Sequence, residues 1–218
     1  MNKIDHNKEF NRIISSLSSD AAGSAPTLSR PKLLLHACCA PCASICMDRV
    51  RDPFDTTAFF FNPNITISEE HDHRSSELER LIDIYNDKPN RHKIAFLEGE
   101  YNPQAFFDMA KGYEDCPERG ARCHLCYELR LRTTAEAAIA GDFDYFATTL
   151  TLSPLKDANV LNEIGYRLQE EYSNRVLWLP SDFKKEEGYK KSIELSKQYG
   201  LYRQNYCGCV YSKPDTEA

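Results

Sequence analysis

Lys32-Leu33-Leu34-Leu35-His36-Ala37-Cys38-Cys39-Ala40-Pro41-Cys42 is the stretch from which the fold of this chain can be read. A short apolar run breaks off into a turn crowded with thiols. Such a run, bounded by turn residues, fits a strand buried on both faces. Strands of that kind belong to parallel sheets packed between helices. Outward from it, short apolar runs alternate with longer segments of helical period. The pattern predicts strands over 32–37, 56–61, 93–97, 145–150 and 176–179. It predicts helices over 8–17, 43–51, 69–87, 103–111, 122–140, 157–171 and 189–199. Strands alternating with helices imply an α/β fold whose mainly parallel sheet is covered on both faces.

Open parallel sheets bind ligands beyond the carboxyl ends of their strands. The unusual residues of this chain are expected there. The first strand ends in His36-Ala37-Cys38-Cys39-Ala40-Pro41-Cys42, the second in Asn62-Pro63-Asn64, and the fourth in Thr148-Thr149-Leu150, with Ser153-Pro154 beyond. Three motifs far apart in sequence would then meet on one rim.

Composition bounds the remaining choices. The chain has 218 residues, 41% of them hydrophobic and 28% charged, which is ordinary for a folded protein and excludes bulk disorder. Its formal net charge of −6 excludes a uniformly basic coat, though not a local basic patch. No apolar stretch approaches the length of a membrane span. The first twenty residues are polar and of mixed charge, unlike a signal peptide. A cytoplasmic protein is expected. Nine cysteines in a reducing compartment then call for metal binding or redox chemistry rather than structural disulfides.

The cysteines fall into groups: Cys38, Cys39 and Cys42, with Cys46 a helical turn later; Cys123-His124-Leu125-Cys126; and Cys207-Gly208-Cys209. Cys116 stands alone. Cys123 and Cys126 lie three apart in a predicted helix, so their thiols share a face. Soft thiolates grouped in this way hold zinc or an iron–sulfur cluster. Cys38, Cys42, Cys123 and Cys126 would suffice for a closed zinc tetrahedron. The seven grouped thiols exceed that need, which favours iron–sulfur. Cys46 and Cys116 are expected to be packing residues, as free cysteines often are. Cys207-Gly208-Cys209 is a tight loop in which Gly208 supplies backbone freedom. A disulfide across so short a loop would be strained and easily reduced, which suits a redox relay.

The set Cys38-Cys39-Ala40-Pro41-Cys42, Asn62-Pro63-Asn64-Ile65, Arg122-Cys123 with Cys126, Thr148-Thr149-Leu150 with Ser153-Pro154, and Tyr206-Cys207-Gly208-Cys209 resembles the QueH-type epoxyqueuosine reductases. The resemblance spans roughly Pro31 to Lys213. It implies a Rossmann-like sheet related to the nucleotide-binding hydrolase and tRNA-thiolation folds. It divides the chain into an N-terminal helix and linker (1–31), a single catalytic α/β domain carrying the cluster (32–213) and a tail (214–218). The implied activity is reduction of epoxyqueuosine to queuosine at the wobble position, 34, of tRNA, the final step of queuosine biosynthesis. The implied cofactor is a four-iron four-sulfur cluster without cobalamin, fed by an external electron donor. Carried over by position, Cys38, Cys39, Cys123 and Cys126 become the cluster ligands, and Cys207 and Cys209 the redox-active pair. Cys42 would help to bind a further iron beside the cluster.

The alternatives are a thiolase-like tRNA-modifying enzyme or a zinc enzyme on the same fold, and a non-catalytic electron carrier. A thiolase would want a Ser-Gly-Gly-x-Asp-Ser phosphate loop after the first strand, where this chain has Cys-Cys-Ala-Pro-Cys. A carrier does not need a broad α/β rim. Among titratable groups, His36, Tyr206 and Asp157 lie nearest the motifs. Ser153-Pro154 reads as a helix start whose amides could hold a phosphate or a hydroxyl. RNA contact would use the basic stretches 184–203 (six basic, three acidic) and 117–132 (four basic, two acidic), with Tyr189, Tyr199 and Tyr202 available for stacking.

Overall fold

The computed structural model describes residues 4–23 and 30–212. Its strands are β1 Lys32–His36, β2 Asp55–Phe60, β3 Ala95–Glu98, β4 Tyr145–Thr148 and β5 Leu177–Trp178. They form a single sheet in the order β3-β2-β1-β4-β5, with every pairing parallel. The helices are α1 His6–Gly23, α2 Ala40–Val50, α3 Ser68–Asn86, α4 Pro103–Ala110, α5 Ala121–Ala140, α6 Ala158–Glu171 and α7 Gly188–Gln198.

The leucine run of β1 explains the two-layered core. Side chains alternate across a strand. Leu33 and Leu35 enter one core with Met47 and Val50 of α2 and Leu78 and Tyr85 of α3. Leu34 enters the other with Leu131 and Ala135 of α5 and Leu161 and Leu168 of α6. All three leucines are fully buried, each contributing roughly 1.5–3 kcal/mol of transfer free energy. On the α6 side, Gly165 permits a close approach: a Cβ there would lie 2.2 Å from Cδ2 of Trp178. The Trp178 indole N–H donates to Asn162 Oδ1 at 3.0 Å.

Element boundaries depart from expectation where side chains capture the backbone. β3 begins at Ala95, not 93, because Asn86 binds both the N–H (2.8 Å) and the C=O (2.9 Å) of Ile94. β4 stops at Thr148 instead of reaching 150. Thr148 Oγ1 accepts from Leu150 N–H at 3.1 Å and turns the chain into a 3-10 turn over Thr149–Leu152. Ser153-Pro154 does not start a helix. Ser153 Oγ closes a local turn by accepting from Leu155 N–H at 3.3 Å. α6 begins only at Ala158, where Asp157 caps it by accepting from Asn159 N–H at 2.8 Å. The helix-start amides expected at Ser153-Pro154 are therefore not present there.

The first helix is longer than 8–17 and docks on the domain. Phe10 is buried in the first core, edge-on to Phe183 at 5.3 Å, with the Arg49 guanidinium 4.6 Å above its ring. Part of the expected linker, 24–29, and the tail, 214–218, lie outside the described residues. Among the described residues, no helix is long and apolar enough to cross a membrane.

Candidate metal centre

The strand order reverses direction at β1, with β2 and β3 on one side and β4 and β5 on the other. This is the switch point at which open α/β sheets hold their ligands. The last ladder bond runs from Ala37 N–H to Phe59 O at 2.8 Å. The chain then turns through Cys38 and Cys39 into α2, whose first turn accommodates Pro41. Cys38 and Cys39 hold their sulfurs 3.7 Å apart. With Cys42 they form a trio whose sulfurs lie within 4.8 Å of one another, the only such group of potential metal ligands among the described residues. Thr149, just past β4, touches this trio: its hydroxyl lies 3.7 Å from Cys38 Sγ. Cys46 is fully buried in the first core and packs as expected.

α5 supplies the second group. Cys123 Sγ accepts a hydrogen bond from the Arg119 amide at 3.2 Å. Such bonds are one lever on the potential of a thiolate-bound cluster. Cys126 is buried beside Phe106 and Cys209. Arg122 pins the preceding loop by donating to the carbonyls of Tyr113 (2.9 Å), Glu114 (2.7 Å) and Cys116 (2.6 Å). Cys116 does not line the cavity that receives the other thiols.

The third group closes over the rim. Gly208 has φ +99, and a Cβ there would lie 2.7 Å from Ile65 Cγ1, so both conformation and space require glycine. Gly208 O accepts from Thr66 N–H at 3.3 Å. Cys207 O accepts from Asn64 Nδ2 at 3.1 Å and from Arg74 at 3.2 Å. Arg74 also lies 5.2 Å above the Tyr206 ring. Cys207 and Cys209 are free thiols in this structure.

Cys38, Cys42, Cys123, Cys126, Cys207 and Cys209 all line one cavity of about 340 Å³. Cys39 lies just beneath it, 2% exposed. The donor set is wholly sulfur, the combination that selects zinc or an iron–sulfur cluster over hard cations. The residues present therefore fit such a group.

Charge within the cavity is uneven. Hydrogen bonds from Cys39 and Cys42 hold the Cys38 thiol well below its ordinary range, against the cost of burial, with Lys156 and Arg130 assisting. The same contacts push Cys39 up to about 12 and Cys42 upward. At the other lip, Cys209 and the Lys156 charge lower Cys207, while Cys209 is raised in return. Burial opposes the charge on Arg130, yet the thiols of Cys126, Cys38 and Cys207 more than offset it and raise its pKa.

Of the remaining candidates, His36 and Asp157 are engaged within the fold. His36 is fully buried, with Nδ1 2.9 Å from Thr148 Oγ1 and Nε2 3.1 Å from Phe61 O. Burial and the nearby Arg130 push its pKa down to about 3, so the ring is neutral. Asp157 caps α6. Tyr206 lines the cavity. Tyr199 accepts from Lys88 at 2.7 Å, and Tyr202 donates to Glu70 at 3.1 Å, so both are engaged within the fold. Tyr189 is the member of the expected stacking trio that is exposed at the cavity edge. Sequence reasoning missed Arg130 and Lys156. Arg130 stands four residues after Cys126 in the same helix, hence on the same face, and that spacing was a usable signal.

Residues 33–215 match the family model for epoxyqueuosine reductase QueH. The chain belongs to the QueH family of epoxyqueuosine reductases. A QueH of Staphylococcus epidermidis is 40% identical over 96% of this chain and 85% of that relative. A QueH of Thermotoga maritima is 33% identical over 83% of this chain and 89% of that relative. The fold also matches the U34-tRNA thiolase NcsA from Methanococcus maripaludis, solved with its 4Fe-4S cluster. The TM-score is 0.50, with 11% identity over 96% of this chain and 73% of the other. That likeness bears out the expected relation to tRNA-thiolation folds.

Proposed function

We propose that this QueH-family chain reduces epoxyqueuosine to queuosine at the wobble position of tRNA. It would use a four-iron four-sulfur cluster held by Cys38, Cys39, Cys123 and Cys126. The observation that carries this reading is the convergence of three cysteine groups on one cavity at the switch point of the sheet. The reading is supported by membership of a family named for this reaction. Cys42, in contact distance of Cys38 and Cys39, is the thiol available to a further iron beside the cluster. A tRNA substrate implies a cytoplasmic location.

Opening an epoxide to an alkene removes the oxygen as water and takes up two electrons and two protons. A bound cluster would supply electrons singly. The chain's own part is to seat the base against the thiol-lined wall, exclude water and feed the cluster the two electrons it would pass on. Cys207 and Cys209 suit that last task. Oxidation of the two thiols to a disulfide releases two electrons and two protons, and an external thiol or low-potential donor restores the dithiol. The exposed Tyr189 at the cavity edge offers a stacking face for an unpaired base.

The test is anaerobic purification, assay of iron, sulfide and zinc per chain, and conversion of epoxyqueuosine in tRNA followed by nucleoside analysis. Iron with labile sulfide and a queuosine product are expected. Stoichiometric zinc without sulfide would overturn the cluster assignment.

A further inference from the structure

Arg130 is 3% exposed, and among the described residues it forms no ion pair with a carboxylate. Its Nη1 donates to two neutral amide oxygens, Asn62 Oδ1 and Asn64 Oδ1, both at 3.0 Å, and its Nε is buried without a hydrogen-bond partner. A buried cation so placed is costly unless negative charge faces it. Cys38, Cys126 and Cys207, one residue from each thiol group, line the same cavity as Arg130.

The hydrogen bonds around it radiate to the same three places. Arginine only donates, so both asparagines must turn Oδ1 toward it and present Nδ2 outward. Asn62 Nδ2 then holds Ala37 O at 2.9 Å, the carbonyl immediately before Cys38. Asn64 Nδ2 holds Cys207 O at 3.1 Å. Arg130 itself sits one turn along α5 from Cys126. A single guanidinium thus ties together the backbones that carry all three thiol groups.

We propose that Arg130 is the positioning residue of the metal centre: it fixes the three thiol groups relative to one another and supplies the buried positive charge that favours the more reduced, more negative state of the centre. The inference rests on the iron–sulfur reading above. A cation in a low-dielectric site stabilises added negative charge, so removing it makes the centre harder to reduce. Asn64→Asp has the same consequence without touching the arginine, because a carboxylate against the guanidinium cancels its charge.

The experiment is a redox titration of anaerobically reconstituted wild type, Arg130→Lys, Arg130→Met and Asn64→Asp, with iron and sulfide measured on the same samples. Midpoint potentials are expected to move negative in Arg130→Met and Asn64→Asp, and Arg130→Lys is expected to lie between Arg130→Met and wild type. If Arg130→Met fails to retain iron, the Asn64→Asp potential decides. Wild-type protein that takes up no iron and sulfide overturns the cluster reading and this inference together. Full iron and sulfide with an unmoved potential in Asn64→Asp overturns this inference alone.

Discussion

His36 and Thr148 face each other across β1 and β4, paired in register, with Nδ1 and Oγ1 2.9 Å apart. Both imidazole nitrogens are occupied in a site closed to solvent, so the ring is a structural cross-link beneath the metal centre. Replacing it by Leu strands the Phe61 carbonyl and leaves the Thr148 hydroxyl with only the bond from Leu150 N–H. The expected loss is about 1–3 kcal/mol for each group left unsatisfied. Urea unfolding of metal-free His36→Leu measures it, and an unchanged midpoint would return His36 to the list of candidate proton donors.

The proposed ligand set predicts that the thiols of the cavity divide by role. Replacing Cys38, Cys39, Cys123 or Cys126 by Ser should each lower iron and sulfide content and abolish turnover. Cys116→Ser should leave both near wild type, since Cys116 stays outside the cavity. Iron analysis of the five variants is the check. Loss of iron in Cys116→Ser with retention in Cys126→Ser would redraw the ligand set.

Cys207 and Cys209 should behave differently from the ligands. The double change to Ser is expected to retain iron and sulfide while turnover supported by a thiol reductant falls sharply. A strong one-electron donor acting on the centre should restore part of it. Loss of the cluster in this variant would place these residues among the ligands, and full activity with both donors would leave them as packing residues.

Gly165 lies under the Trp178 indole with no room for a methyl group. Gly165→Ala must push the ring aside and disturb its bond to Asn162. Overpacking of this kind costs about 1–3 kcal/mol. Chemical unfolding would register it, with iron content in the surviving folded protein unaffected.

Much of this was legible in the sequence. The leucine run before Cys38 announced a strand buried on both faces, and the placement of motifs at strand ends announced their meeting. What escaped reading depended on neighbours distant in sequence. Arg130 belongs to a stretch, 117–132, whose basic excess suggested a face toward RNA, and only the packing of α5 turns that guanidinium inward. Tyr199 and Tyr202 read as free rings, yet Lys88 and Glu70 claim their hydroxyls. Ser153-Pro154 satisfied the local grammar of a helix start, but a turn intervenes and Asp157 does the capping instead.

The attachment of the thiol groups to the scaffold implies a gradient of persistence. Cys38 and Cys39 follow the central strand, which is paired on both sides by β2 and β4. The 206–208 backbone is held by one backbone amide and by the side chains of Asn64 and Arg74. Segments of few contacts open with lower free energy than central strands. Amide hydrogens near Cys207 should therefore exchange with solvent well before those of β1. The segment could lift away and settle again, admitting a reductant to its two thiols, while the strand-anchored half of the centre stays shut.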